Sequence, residues 1–135
     1  MNANHKHRTA EAKLTITQED GTPLANQEVE IAQTNHKFLF GCTGFSAIPL
    51  ANDELMGKEK EYEELRSQKL LDLFNFITLP FYWGRFEPER GKPDTKRILK
   101  TAEYFVNHGC RVKGHPLCWH TVTADWLMKM SPNGV

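Results

Sequence analysis

The sequence lacks an excess of charge of either sign, because 17 basic side chains balance 17 acidic ones over 135 residues. A neutral chain has no overall field to attract a phosphate backbone or an anionic lipid, so we expect no nucleic-acid and no membrane partner. It also lacks a run of roughly 20 apolar residues that could span a membrane, and its amino terminus has no apolar signal core. These absences predict a cytoplasmic protein.

Cysteine is scarce, with Cys42, Cys110 and Cys118 in an odd number at irregular spacing. This usage argues against a disulfide framework and fits a reducing compartment. Two of these thiols lie near His115 and His120, and all four groups are zinc-ligand types. Their C-x4-H-x2-C-x-H spacing lacks the paired C-x2-C element, so we expect no metal and no cofactor. A small metal-binding domain is kept as an alternative.

A glycine-rich phosphate loop is also missing, since the segment 41–46 after the first predicted strand contains two glycines and leads into a long irregular loop. A doubly wound nucleotide-binding sheet is therefore disfavoured. What is present is an alternation of strands and helices. Strands are predicted at 37–42, 74–79 and 111–115, and a helix at 60–73 separates the first two.

A second helix is predicted to begin near Asp94, as a capping residue, and to stop at Gly109, and a further helix to begin at Trp126. Short connections between alternating strands and helices are typical of a parallel sheet wrapped by helices. We predict an α/β fold with about three β/α units of a (β/α)8 TIM barrel.

Before these units, residues 13–17 alternate apolar and polar side chains, a turn follows, and a second apolar run lies near Val29. This pattern predicts a small β-hairpin extension. The predicted organisation is a flexible terminus at 1–9, the β extension at 10–35, and an incomplete barrel domain at 36–135.

In a (β/α)8 barrel the chemistry lies at the carboxyl ends of the strands. The loops 80–91 and 115–120 follow two predicted strands and contain Trp83, Trp119 and two histidines. Aromatic faces stack on sugar rings and imidazoles bond to hydroxyls, so the loops predict a sugar site. The alternative is that the tryptophans fill the barrel mouth and that His115 bonds to a carbonyl.

Glu87 and Glu89 in the first loop are predicted to be loop carboxylates near Arg85, Arg90 and Lys92. We do not expect them to act as an acid and base pair. Glycosidic cleavage needs two carboxyl groups ~5 to 9.5 Å apart on opposite sides of the bond, whereas alternate positions in a Glu-Pro-Glu loop do not face each other across a substrate.

Five features of the sequence resemble glycoside hydrolase family 10, the endo-β-1,4-xylanases. They are the run at 74–78, Trp83, the Glu-Pro-Glu-Arg-Gly-Lys run at 87–92, the Gly-His-Pro-Leu-Cys-Trp-His run at 114–120, and Trp126. The resemblance extends over about residues 36 to 129. It implies a retaining hydrolase of the β-1,4-glycosidic bonds of xylan, with a β-1,4-linked polysaccharide or oligosaccharide as partner. The family's two catalytic glutamates follow strands four and seven, which this chain does not contain.

The resemblance implies that His115 binds a sugar hydroxyl, Trp119 forms a wall beside it, His120 supports the site, and Trp83 lies beneath the neighbouring subsites. It implies no catalytic residue in this chain. We therefore expect an N-terminal fragment that is inactive alone.

The sequence departs from the family pattern at two places, and these departures leave the identity of the glycan undetermined. The polar Glu-Asn-x-Met-Lys motif is replaced by Thr-Leu-Pro-Phe-Tyr at 78–82, and a Ser-Gln pair by Thr-Val at 121–122. These changes predict another glycan, a decorated xylan, or stacking on Phe81 or Tyr82. The competing class is a non-catalytic glycan-binding module. We also expect self-association through the open sheet edge.

Overall fold

The computed structural model describes residues 9–130. The chain divides into two compact units, Met1–Asn35 and His36–Val135. The predicted flexible terminus at 1–9 lies, except for Thr9, outside the described residues. Among the helices of this described part, none is long and apolar enough to cross a membrane.

The first unit contains a tight turn and one antiparallel bridge, between Thr17 and Pro23. The Asp20 carboxylate accepts hydrogen bonds from the Thr22 hydroxyl and amide at 2.7 and 2.9 Å, and these bonds lower its pKa. The second strand predicted near Val29 is absent from the described residues of this unit. The expected hairpin is thus reduced to its turn, because a two-stranded hairpin without a covered apolar face is marginally stable in water.

The second unit is built on a parallel sheet of three strands in the order β1-β2-β3. The strands are β1 (Gly41–Thr43), β2 (Phe76–Pro80) and β3 (Arg111–His115). The helices are α1 (Ala47–Ala51), α2 (Gly57–Leu73), α3 (Trp83–Phe86), α4 (Thr95–Asn107) and α5 (Asp125–Met128). The predicted α/β class with a parallel sheet is confirmed for this part of the chain.

The core lies on one face of the sheet, where β2 alternates buried and half-buried residues. Ile77 and Leu79 point into this core with at most 1% of their surface exposed. Side chains of β2 two residues apart share a face, so these two pack on the helices. Residues from α1 and α4, with Cys110 just before β3, complete the cluster: Ala47, Ile48, Ile98, Phe105 and Cys110.

Helix α2 confirms the predicted helix, and only part of its apolar side chains pack on the core. Tyr62 and Leu65 are exposed by 66% and 61%, whereas Ser67 is 3% exposed and Leu70 packs on the core. The Ser67 hydroxyl lies 2.8 Å from the hydroxyl of Tyr104 on α4. This contact joins α2 to α4.

Helix α4 begins after Asp94, whose carbonyl accepts the Ile98 amide hydrogen at 3.2 Å. Its carboxylate makes no capping bond and lies 3.5 Å from an Arg97 nitrogen, so the predicted side-chain cap is not formed. Gly109 stops the helix with a φ of 81°, a left-handed conformation that glycine adopts without steric cost.

Strand β1 is shorter than predicted, and the residues before it are not covered on both faces. Phe38 and Phe40 are exposed by 75% and 52%. Asn75 replaces strand pairing here, because its side-chain oxygen accepts the Phe40 amide at 2.8 Å and its NH2 group donates to the Phe38 carbonyl at 3.0 Å. The short helices α1 and α3 occupy segments that the sequence predicted as loops.

Candidate functional site

Aromatic side chains meet where the carboxyl ends of the three strands come together. Phe45 follows β1, Tyr82 follows β2, and Trp119 and His120 follow β3. The ring centroids of Phe45 and Tyr82 are 6.3 Å apart, those of Tyr82 and Trp119 are 5.8 Å apart, and those of Trp119 and His120 are 5.7 Å apart. We call these four residues the aromatic wall. Parallel strands end on one edge of a sheet, which is why residues so distant in sequence meet.

Trp119 is the most exposed ring of the tryptophans in the described residues, at 48%. Its contact with Tyr82 is tilted by 43°, so the two rings do not cover each other fully. The aromatic wall therefore presents ring surface to solvent, which a hydrophobic core would not.

His115 ends β3 and lies beside Pro80 in the strand register. Its carbonyl accepts the Phe81 amide hydrogen at 3.1 Å, and its peptide bond to Pro116 is cis. The imidazole is exposed and forms no hydrogen bond within residues 9–130. The alternative that this histidine is satisfied by a neighbouring carbonyl is therefore not supported.

Trp83 lies outside the aromatic wall, at the start of α3. Its ring packs edge to face on Trp126 with centroids 5.8 Å apart, and its indole N–H donates to a Glu87 carboxylate oxygen at 2.9 Å. The Trp126 indole N–H donates to the Glu87 carbonyl, also at 2.9 Å. The two tryptophans and Glu87 thus fasten the loop after β2 to α5.

The Glu87 carboxylate is held in its ionised form. Besides the Trp83 indole, the Gly91 amide donates to it at 2.7 Å, and Arg90 lies nearby; these groups hold its pKa below the usual range. A carboxylate stabilised in this way does not donate a proton readily. Glu89 forms an exposed ion pair with Lys92. Both carboxylates thus bond within their own loop, Glu89 to the predicted cation Lys92 and Glu87 to an indole and an amide.

The metal-binding alternative is not supported by the strand geometry. Cys110 precedes β3 and His115 ends it, so the extended backbone between them spans roughly 16 Å. The Cys110 thiol is buried, donates to the Phe74 carbonyl at 3.4 Å, and has its pKa raised by burial. The part of the chain that the structure describes offers no group of three metal-ligand side chains.

Phe45 is the member of the aromatic wall that the sequence did not single out. The available signal was its position just after a predicted strand, the same signal that identified the other loops. Of the two stacking candidates proposed from sequence, Tyr82 joins the aromatic wall. Phe81 instead packs on Phe86, with ring centroids 5.0 Å apart, and covers Gly114.

Three parallel strands, their connecting helices and an aromatic surface at the strand ends define a group of β/α units of the α/β class. No protein-family model matches the chain. Over 56 residues it is 32% identical to an endo-1,4-beta-xylanase/feruloyl esterase of Xylanibacter ruminicola. That similarity covers 40% of this chain and 8% of the relative, so the chain spans a small part of its curated relative.

Among solved structures, the chain is similar to xylanase 10B of Thermotoga petrophila, crystallised with xylobiose. The two are 21% identical with a TM-score of 0.46, and the match covers 68% of this chain and 25% of the other. The xylanase-like sequence similarity is the one to the Xylanibacter ruminicola protein, over 56 residues of this chain.

Proposed function

We propose that this chain forms the first three β/α units of a xylanase-like (β/α)8 barrel of glycoside hydrolase family 10 and supplies one wall of its sugar site. The observation that carries the proposal is the aromatic wall, which crosses the ends of all three strands. The partial sequence similarity to a xylanase supports a β-1,4-linked, xylan-type ligand.

Sugar rings are recognised by aromatic faces together with a few hydrogen-bonding groups. Trp119 and Tyr82 provide the faces. The exposed imidazoles of His115 and His120 provide donors or acceptors for hydroxyls. In this proposal Trp83 acts indirectly, because it positions the loop that carries Tyr82 through its bond to Glu87.

We expect these residues to bind sugar without cleaving it. Retaining hydrolysis needs two carboxyl groups about 5 to 5.5 Å apart on either side of the bond. Among residues 9–130, none of the four members of the aromatic wall is bonded to a carboxylate, and Glu87 is occupied by its own loop. Cleavage in a complete barrel would depend on carboxylates outside these residues.

The test is titration of the chain with xylohexaose, followed by tryptophan fluorescence. Because Trp119 is the exposed indole, we expect a saturable change in its emission. The Trp119→Ala variant should bind xylohexaose at least about tenfold more weakly than the unmodified chain. Tyr62→Ala is the matched control, since Tyr62 is an exposed aromatic side chain on α2, outside the aromatic wall, and its loss should leave the response in place.

An emission that does not respond to xylohexaose, or responds equally in Trp119→Ala, would contradict the binding proposal. Release of reducing sugar from xylan by the purified chain, above a no-protein blank, would contradict the proposal that it binds without cleavage.

A further inference from the structure

A recess lies directly behind the aromatic wall. It is a cavity of about 210 Å³ lined by Phe45 and Tyr82 of the wall and, beyond them, by residues of α1, α3 and α4. One water occupies ≈ 30 Å³ of liquid, so the cavity has room for one small ring rather than a chain of sugars. It lies between the first two β/α units, both of which are described in full, away from the free edge of β3.

Most of the cavity surface is apolar. Pro80 and Phe86 line it together with the two aromatic wall residues, and the buried side chains of Ile48 and Ile98 close it toward the core. An apolar surface with a few polar groups is typical of small-ligand sites, and the apolar face of a sugar ring suits it.

The charged groups of the cavity are Arg85, Asp94 and Arg97. Arg97 is held by a bidentate ion pair with Glu54, at 2.5 and 2.6 Å, which raises the pKa of the guanidinium and lowers that of the carboxyl. Asp94 has one contact with Arg97, at 3.5 Å, so its oxygens keep capacity to accept hydrogen bonds.

Arg85 makes no ion pair and no side-chain hydrogen bond within residues 9–130, so its five N–H donors are available to a ligand. The cavity therefore offers unused donors on Arg85 and unused acceptors on Asp94. The hydroxyls of a sugar both donate and accept hydrogen bonds, so a sugar can use the donors of Arg85 and the acceptors of Asp94. The two guanidinium groups are balanced by Asp94 and Glu54, so no net charge favours an anionic ligand.

We infer that this cavity binds a single neutral sugar ring carried as a branch on a xylan-type chain that lies on the aromatic wall. The inference rests on the proposed function. Tyr82 connects the two sites, because its ring belongs to the aromatic wall and also lines the cavity. A main-chain sugar on Trp119 and Tyr82 would place a branch next to Arg85 and Asp94.

The test compares three ligands by isothermal titration: xylotriose, xylotriose with one arabinofuranosyl branch, and xylotriose with one glucuronic acid branch. We expect the ligand with the neutral branch to bind about tenfold more tightly than plain xylotriose, the scale of one hydrogen bond to a charged group. Arg85→Ala and Asp94→Asn should each reduce this preference to within about twofold while plain xylotriose binds as before.

The matched controls are Arg90→Ala and Asp72→Asn, which make the same changes outside the cavity and should keep the preference. Equal binding of plain and branched xylotriose would overturn the inference and leave the proposed function standing. Preference for the acidic branch would overturn the assignment of a neutral ring. If plain xylotriose does not bind, the proposed function fails and this inference fails with it.

Discussion

Gly44 provides a sharp test of how the strand ends are packed. It lies at the carboxyl end of β1 and is buried, and its φ is not in the left-handed region. An added Cβ would lie 2.5 Å from Cγ2 of Ile77 and 2.8 Å from Cε2 of Phe105. Ordinary carbon contacts are at about 3.5 to 4.0 Å, and both neighbours are fully buried, so neither side chain can move aside without disturbing the core.

Gly44→Ala should therefore destabilise the fold by about 1 to 3 kcal/mol through overpacking alone. For a unit of this size each kcal/mol lowers the melting temperature by roughly 4 to 8 °C. Thermal unfolding followed by circular dichroism measures the shift. A melting temperature within about 2 °C of the unmodified chain would refute the packing argument.

The double variant Gly44→Ala with Phe105→Leu separates crowding from other causes. Leucine lacks the ring atoms that the new methyl group meets, so the two substitutions should destabilise less together than the sum of their separate effects. Strict additivity would mean that the methyl group does not touch Phe105.

Two further predictions concern bonds seen in the structure. At pH values above the ordinary pKa of a glutamate, the ionised Glu87 carboxylate stabilises the folded chain. This stability should be lost as the pH falls through the lowered pKa that Glu87 has in the folded state. Melting temperatures measured between pH 6 and pH 3 should show a smaller fall for Glu87→Gln than for the unmodified chain, and parallel curves would count against the prediction. Ser67→Ala should cost about 1 kcal/mol or more in urea unfolding by leaving the Tyr104 hydroxyl without its partner. Adding Tyr104→Phe should recover part of that loss, and a further loss of similar size would argue against a shared bond.

Much of the second unit could be predicted from the sequence because its signals are local. The apolar run before Pro80, the stop at Gly109 and the strand at Arg111–His115 all reappear in the structure. Backbone preferences and period-two patterning act over a few residues, so a short window of sequence contains them. The helix α2 is predicted for the same reason.

The first unit and the start of the second were predicted less well. The alternation at 13–17 does not lead to paired strands, since pairing depends on a covering surface that this pattern does not specify. The segment before β1 is apolar but exposed, with Asn75 fixing its backbone from 35 residues away. Such a distant partner has no local signal.

The loops after β2 and β3 were identified from sequence as the place of a sugar site, because tryptophan and histidine concentrate there in a strand-end context. Their separation into two groups was not predictable. Trp119 belongs to the aromatic wall, whereas Trp83 packs with Trp126 and Glu87. In the sequence, Trp83 and Trp119 both follow a predicted strand, so nothing there distinguishes their roles.

By itself, then, the sequence determined the order of the three strands and of the helices α2, α4 and α5, the parallel α/β class and the segments in which aromatic residues gather, since local preferences encode these. Only the tertiary structure decided which rings meet, that Phe45 joins Tyr82 and Trp119, and that Arg85 and Asp94 face one cavity behind them. The physical reason is that a parallel sheet brings the ends of distant strands to one edge, where side chains pack by shape and charge rather than by their order along the chain.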